Sequence, residues 1–326
     1  MIETRHTHPD DDRPHVGMLV NEAVSRLAPF SALILTIILV VAFLVRYYVF
    51  ELFAIPRCYG ATYSNLSEVN RRGFVNHHIA GLAKILMLVV AAHPFLGIAF
   101  GSATVHTLFL GAKVVTYGDV LIVVNQLFIA MYIFELLFRA KLSPIAVLHH
   151  IGAVVIAQSA VAISLNWEHE RDATIEFILC FVWGAFDIVA EFWPHVAIIL
   201  YRVYPTRHDF LAKVFCFSCI STFAGTVIET ITVMWLFGSL WDRWTLPFKI
   251  VTPLLHAIFS AAQLFGARNF RSMWLHQKRL RDEQRQTEGI AAGVLIEDHI
   301  GGRSDTTGQK EMHVEVSANI RGQELV

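Results

Sequence analysis

The stretch Ser143-Pro-Ile-Ala-Val-Leu-His-His-Ile-Gly-Ala-Val-Val-Ile-Ala-Gln158 places two adjacent histidines, His149 and His150, inside an otherwise apolar run. The run continues to about residue 165, which is long enough for a membrane-spanning helix. Placing imidazole rings in hydrocarbon costs free energy, so such a pair marks a candidate functional site. The stretch therefore predicts both a transmembrane helix and a polar site within it.

Composition extends this prediction to the whole chain. The 326 residues are 55% hydrophobic and 16% charged, whereas soluble domains carry about 25% charged residues. Seven apolar segments approach or exceed the length of about 20 residues that a bilayer requires. These segments are 29–50, 74–100, 118–139, 143–165, 174–201, 210–238 and 248–270. Because the runs are continuous and lack strand alternation, we predict an all-α membrane bundle of about seven transmembrane helices rather than a barrel.

The segments divide the chain into a core and two polar ends. We predict a disordered tail over 1–28, a first transmembrane anchor over 29–50 and a helical core over 71–270. The charged stretch 276–326 is predicted to be mostly disordered beyond a short helix.

Basic residues near the segment ends predict the orientation. They are concentrated in the loop after the first segment, the turn at 139–141, the loop at 202–207 and the stretch after residue 268. Loops rich in Lys and Arg remain cytosolic, so the C-terminus is predicted to be cytosolic and the N-terminus luminal. The sequon Asn65-Leu-Ser67 then faces the cytosol and is expected to carry no glycan.

Several ionisable residues fall at similar depth on this topology. His149 and His150 are joined by Asp187 and Glu191, and we take these four as the candidate catalytic residues. Asp187, Glu191 and His195 are spaced i, i+4, i+8 and share one helix face. A carboxylate beside an imidazole fixes its tautomer and raises its basicity, as acid–base catalysis requires. Adjacent helical residues point about 100° apart, so one histidine at most faces the carboxylates squarely.

Other polar residues are assigned supporting or structural roles. Three residues are predicted to support the site, namely His78, Glu135 and His195. An alternative for Glu135 is that it only neutralises Arg139, four residues later on the same helix. Cations that could meet phosphate groups at the surface are Arg72, Arg139 and Lys141. Isolated intramembrane histidines are interpreted as helix–helix hydrogen-bond partners, namely His93, His106 and His256. Arg46 and Glu51 are interpreted as interfacial residues whose charged ends reach water.

The sequence argues against several other site chemistries. The histidine pairs at 77–78 and 149–150 lack the HxxxH and HxxHH spacing of membrane di-iron enzymes, and no metal is predicted. A haem-binding bundle stays open, with nothing favouring it. Lys249 lies too close to a segment edge for a retinal-type Schiff base. The net charge of −1 gives no electrostatic support to nucleic-acid binding.

Four short stretches carry a resemblance to a known family. They are Arg72-Gly-Phe-Val-Asn-His-His-Ile-Ala80, Tyr132-Ile-Phe-Glu135, Leu148-His-His-Ile-Gly152 and Phe186-Asp-Ile-Val-Ala-Glu191. In order and spacing they resemble the TLC-domain family, which includes the TRAM proteins and the Lag1-type ceramide synthases. That resemblance implies a polytopic helical fold in the endoplasmic reticulum, with the His-His and Asp-x-x-x-Glu elements forming the site.

The resemblance supports two functions. One is an acyl-CoA-dependent lipid N- or O-acyltransferase with acyl-CoA as co-substrate and no resident cofactor. The other is a non-enzymatic protein that binds lipid or membrane cargo and affects membrane composition or trafficking. Ceramide synthases carry Asp and Lys where this chain has Gly184 and Pro194, and these departures favour the second function. Membrane lipids are the expected partners, and a homodimer is one of the oligomeric states left open.

Overall fold

The computed structural model describes residues 14–170 and 172–301, with side chains through residue 291. Within those ranges the secondary structure is helical, apart from one isolated bridge between Leu108 and Thr116. The α-helices are α1 (Ser31–Leu44), α2 (Ile55–Tyr59), α3 (Ala61–Ser64), α4 (Glu68–Ala99), α5 (Tyr117–Phe138), α6 (Pro144–Leu165), α7 (Ala173–Val203), α8 (His208–Ser239) and α9 (Leu246–Gly301).

Among the described residues, seven stretches of helix are long and apolar enough to cross a membrane, which confirms the predicted all-α polytopic bundle. They are Ala28–Tyr59, α4, α5, α6, α7, α8 and Leu246–Ala291. In its most apolar window, α5 has 67% of its residues buried, against 6% for Ala28–Tyr59. The helix α5 is therefore the most enclosed of these stretches, and the first span is the least enclosed.

Local sequence signals set the helix ends around the site. A capping box begins α5, where Thr116 and Asp119 each accept a hydrogen bond from the other's backbone N–H. The Ser143 hydroxyl oxygen accepts from the backbone of Ala146, and Pro144 occupies the first position of α6. These caps fix the register of the two helices that carry Glu135 and the histidine pair.

Pro194 lies inside α7, one turn beyond the carbonyl group of Ala190. Because proline has no N–H, it cannot complete the hydrogen bond to that carbonyl. The hydroxyl group of Thr222 on α8 lies 3.5 Å from the Ala190 carbonyl oxygen. A Cβ on Gly225 would lie only 3.2 Å from the Cβ of Ala190, so the two helices approach closely there. The proline thus stands where α7 packs tightly against α8.

The first span changes from α-helix to π-helix over Val45–Ala54. Within it Arg46 donates a hydrogen bond to Glu51, five residues on, and residues at that spacing align in a π-helix. The Arg46 guanidinium group also lies 4.6 Å from the ring centre of Phe138, and the residue is 8% exposed. The interpretation of Arg46 as a side chain that reaches water is therefore wrong, because its charge is paired inside the bundle.

Residues 14–28, here called the cap segment, cross one end of the bundle. Val16 and Val24 are buried in the main hydrophobic core, and Ser25 donates a hydrogen bond of 2.6 Å to Asp119. A Cβ on Gly118 would lie 1.8 Å from the backbone oxygen of Val24, so only glycine admits this crossing. The predicted disorder of 1–28 is wrong for residues 14–28, and the remainder of that stretch lies outside the described residues.

The cap segment is also fixed by polar contacts from distant loops. Asn21 donates to the backbone oxygen atoms of Trp167 and Glu170, and Arg243 donates to that of Gly17 at 2.7 Å. Arg243 also pairs with Asp172, which adopts a left-handed φ of 69°. We call this end of the bundle the capped end. The opposite end, where α4, α6 and α8 begin, is called the basic end.

The last helix is longer than expected. It passes through the bundle and continues as one helix to Gly301, so the described part of 276–326 is helical. The sequence prediction of a short helix followed by disorder is therefore wrong for residues 276–301. The rest of that stretch lies outside the described residues.

Candidate functional site

His149 faces two carboxylates of α7. Its Nε2 lies 3.4 Å from Oδ1 of Asp187 and 3.2 Å from Oε1 of Glu191. The ring packs against Phe259 of α9 at 4.9 Å between centroids. Among the described residues, neither ring nitrogen of His149 has a partner with hydrogen-bond geometry. The imidazole is therefore held by shape and charge, and Nδ1 is the nitrogen turned away from the carboxylates.

Tyr132 and Lys84 complete the cluster, and sequence reasoning assigned neither to the site. The Tyr132 hydroxyl group donates to Asp187 and lies 3.1 Å from Oε2 of Glu191. The Lys84 ammonium group, fully buried on α4, donates to that same Oε2 at 2.9 Å. A lone lysine within an apolar window is itself a signal for a site, and this signal could have identified Lys84.

His150 points to a different carboxylate. Its Nε2 lies 2.9 Å from Oε2 of Glu135 on α5, and Nη1 of Arg139 lies 3.8 Å from the same oxygen. Glu135 thus contacts both His150 and the arginine one turn later. The adjacent histidines therefore diverge as the helical geometry predicts, with His149 facing Asp187 and Glu191 and His150 facing Glu135.

The two supporting histidines contact different partners. His195 contacts His77, with 2.9 Å between their Nδ1 atoms. His78 instead pairs with the hydroxyl group of Tyr59 at 2.8 Å and with the backbone oxygen of Phe74. The prediction that His78 lies beside His149 and His150 is therefore wrong, because consecutive helical positions point in different directions. Of His77 and His78, it is His77 that faces α7, through its contact with His195.

The cations proposed for phosphate binding lie near the basic end. Arg139 is largely buried, with its side chain 13% exposed, and is close to Glu135. Arg72 is half-buried and Lys141 lies in the turn before α6. Their contact with a phosphate group stays a prediction.

A second polar network lies between α8 and α9. The fully buried Glu229 accepts a 3.0 Å hydrogen bond from Gln263, which in turn accepts one from Thr226. His256 pairs with the hydroxyl groups of Thr230 and Ser260. The contacts of His256 fit its predicted role as a helix–helix hydrogen-bond partner.

Charge and geometry define what the main cluster can do. Two carboxylates and one ammonium group leave one formal negative charge, which a proton on His149 would neutralise. One ligand atom from each of His149, Asp187 and Glu191 also lies within 4.8 Å of the other two, an arrangement that could hold a metal ion. The side chain of Glu191 is 25% exposed, against 4% for that of Asp187, so the cluster is most open at Glu191.

Comparison with known proteins adds no assignment. No family model, curated protein or solved structure matches the chain.

Proposed function

We propose that this protein is an integral membrane enzyme that transfers an acyl group from acyl-CoA to the amine or hydroxyl group of a lipid. The observation that carries the proposal is the position of His149, whose Nε2 lies within 3.4 Å of both Asp187 and Glu191. Nearby carboxylates stabilise an imidazolium, which is what a general base becomes after it takes a proton. The buried Lys84 and Tyr132 hold those carboxylates in place.

The proposed reaction uses His149 for both proton transfers. Nδ1 of His149 takes the proton of the lipid amine or hydroxyl group as its nitrogen or oxygen atom attacks the thioester carbonyl. The tetrahedral intermediate collapses with cleavage of the carbon–sulfur bond. The imidazolium then returns the proton to the leaving thiolate, which gives acylated lipid and free CoA. Asp187 and Glu191 stabilise the positive charge while it exists.

Location and orientation form part of the proposal. The resemblance to the TLC-domain family favours the endoplasmic reticulum. Basic residues concentrated at the basic end favour a cytosolic location for that end. Acyl-CoA would then approach from the cytosol, because its charged head group does not enter hydrocarbon. Arg72, Arg139 and Lys141 are the cations proposed to meet its phosphates.

Ceramide synthases carry Asp and Lys at the positions of Gly184 and Pro194, and the absence of that Lys weighs less against catalysis because Lys84 supplies a cation. The cation missing at position 194 has a counterpart in the Lys84 ammonium group, which reaches Glu191 from α4. A side chain at Gly184 would meet Phe128 only at 3.9 Å, so no close contact enforces glycine there. A cation beside Glu191 is therefore provided by a different helix.

The test is acyl transfer by the purified full-length protein. We expect His149→Ala to lower the rate at least about 100-fold, the range for loss of a general base. His93→Ala is the control, since His93 is another histidine of a predicted span and its Nδ1 lies 2.9 Å from the hydroxyl group of Tyr117, outside the cluster. Equal turnover by wild type and His149→Ala would refute the mechanism. Lipid binding without transfer from any acyl donor would instead support the lipid-binding function.

A second candidate is metal-assisted lipid hydrolysis at the same cluster. It is favoured by the convergence of His149, Asp187 and Glu191, since imidazole nitrogen and carboxylate oxygen atoms both bind metals such as zinc. The positive charge of Lys84 beside Glu191 weakens the attraction for a second cation. Elemental analysis decides between the two candidates. If the protein is a metal-assisted hydrolase, we expect a bound transition metal in wild type and its loss in His149→Ala.

A further inference from the structure

A groove between α8 and α9 lies at the basic end, apart from the histidine cluster. Its volume is about 350 Å³. Its polar rim carries four charged side chains, namely Asp209, Lys213, Lys278 and Arg281. Three cations and one carboxylate give this rim a net charge of +2, in contrast to the near-neutral chain as a whole.

The groove changes from charged to apolar along α8. The residues that line it on this helix run from Asp209 in the first turn to Ile220, a rise of about 16 Å. The apolar part is formed by Phe217 and Ile220, whose exposed fractions are 51% and 60%. The helix α8 has 32 residues, more than the roughly 20 that cross hydrocarbon, so its first turns lie at the membrane–water boundary. A charged rim above an apolar floor has the polarity of a phospholipid.

The charged side chains of the rim contact one another and a nearby tryptophan. Lys213 contacts Asp209 at 2.8 Å. Arg281 contacts the same carboxylate at 3.6 Å and its sequence neighbour Asp282 at 2.8 Å. The Lys278 ammonium group lies over the ring of Trp274, 5.6 Å from its centre. Tryptophan and lysine are typical of the interfacial zone, where the ring lies among head groups and the ammonium group meets phosphate.

We propose that this groove binds an anionic phospholipid. The phosphate group is held among Lys213, Lys278 and Arg281, and one acyl chain follows Phe217 and Ile220 into the membrane. Phosphatidylcholine offers the same phosphate group, but its positively charged choline offsets the negative charge that the basic rim attracts. The site is independent of the proposed acyl transfer, because it shares no side chain with the histidine cluster.

The test compares lipids retained by the full-length protein in native mass spectrometry. Wild type is expected to bind phosphatidylserine at least about fivefold more tightly than phosphatidylcholine, since each basic residue near such a head group contributes about that factor. Lys213→Gln/Lys278→Gln is expected to lose this preference. Lys249→Gln is the matched control, since Lys249 lies over Trp241, 4.9 Å from its ring centre, at the capped end. It should retain the preference.

A gain-of-binding variant separates the proposal from simple loss of folding. Asp209→Asn removes the one carboxylate that lines the groove and releases Lys213, while Arg281 keeps its contact with Asp282. The variant should therefore bind phosphatidylserine about fivefold more tightly than wild type. Equal retention of the two lipids by wild type would overturn the proposal. So would an unchanged preference in Lys213→Gln/Lys278→Gln, an equal loss in Lys249→Gln, or weaker phosphatidylserine binding by Asp209→Asn.

Discussion

Lys84 places an ammonium group on an apolar helix, where it is fully buried against Glu191. Its nearest charged neighbours in sequence are Arg72 and Lys113, so no local pattern reveals the pairing. The partner lies 107 residues away on α7. Such a contact depends on which helices are neighbours, and the sequence does not specify this directly.

Removing one member of this pair is expected to destabilise the protein. Lys84→Met leaves Glu191 without its cation and should lower the free energy of unfolding by about 3 kcal/mol, the lower end for buried pairs, because Glu191 is partly exposed. The measurement is thermal unfolding of the purified protein by tryptophan fluorescence. Lys84→Met/Glu191→Gln should recover much of the loss. If the double variant is no more stable than Lys84→Met, charge pairing is not the cause.

The sequence predicted which way His149 and His150 face, but it did not predict which residues of α4 lie near α7. The 100° rotation between adjacent helical residues correctly required that His149 and His150 face different partners. The i, i+4 spacing likewise placed Asp187 and Glu191 on one face. The choice between His77 and His78 was wrong, because it depends on the rotation of α4 against α7. That rotation is set by tertiary packing rather than by the residues of α4.

At the scale of elements, the cap segment is the largest departure from expectation. Its residues are polar enough to predict disorder, yet its apolar residues Val16 and Val24 enter the main core. The backbone atoms of the segment bond to positions up to 226 residues away. Local composition carries no trace of such partners, whereas the continuous apolar runs of the spans are visible in any short window.

Gly118 offers a direct test of the cap. In Gly118→Ala the added Cβ would lie 1.8 Å from the Val24 carbonyl oxygen, so the segment must move away. We expect a lower melting temperature and faster tryptic cleavage after the exposed Arg26. Gly73→Ala is the control, since its added Cβ meets nothing within 4 Å and alanine favours a helix. Equal cleavage rates in the two variants would contradict this account of the crossing.

At the scale of the whole molecule, the seven spans fall close to the apolar runs of the sequence. Length and hydropathy suffice for this, because the bilayer imposes a minimum number of apolar residues. The π-helical stretch Val45–Ala54 was not predictable in the same way. It depends on the burial of Arg46 against α5, which hydropathy does not record.

The orientation is testable by glycosylation. Lys113→Asn/Val115→Thr creates a sequon in the exposed loop between α4 and α5, at the capped end. If the capped end is luminal, this site should gain a glycan while the natural Asn65-Leu-Ser67 sequon stays unmodified. The measurement is a mobility shift that glycosidase treatment reverses. A glycan on Asn65 with none at position 113 would invert the proposed orientation.

The contact between Gly17 and Arg243 also constrains the order of biosynthesis. Chains are made from the N-terminus, so the cap segment is synthesised more than 200 residues before its last anchor. During that interval its apolar side chains have no complete docking surface, although the earlier spans can already insert. A chain that stalls before residue 243 lacks the last of these anchors, although the partners of the cap segment on earlier helices are already present. The cap can therefore close completely only after α8 and the residues that follow it have been made.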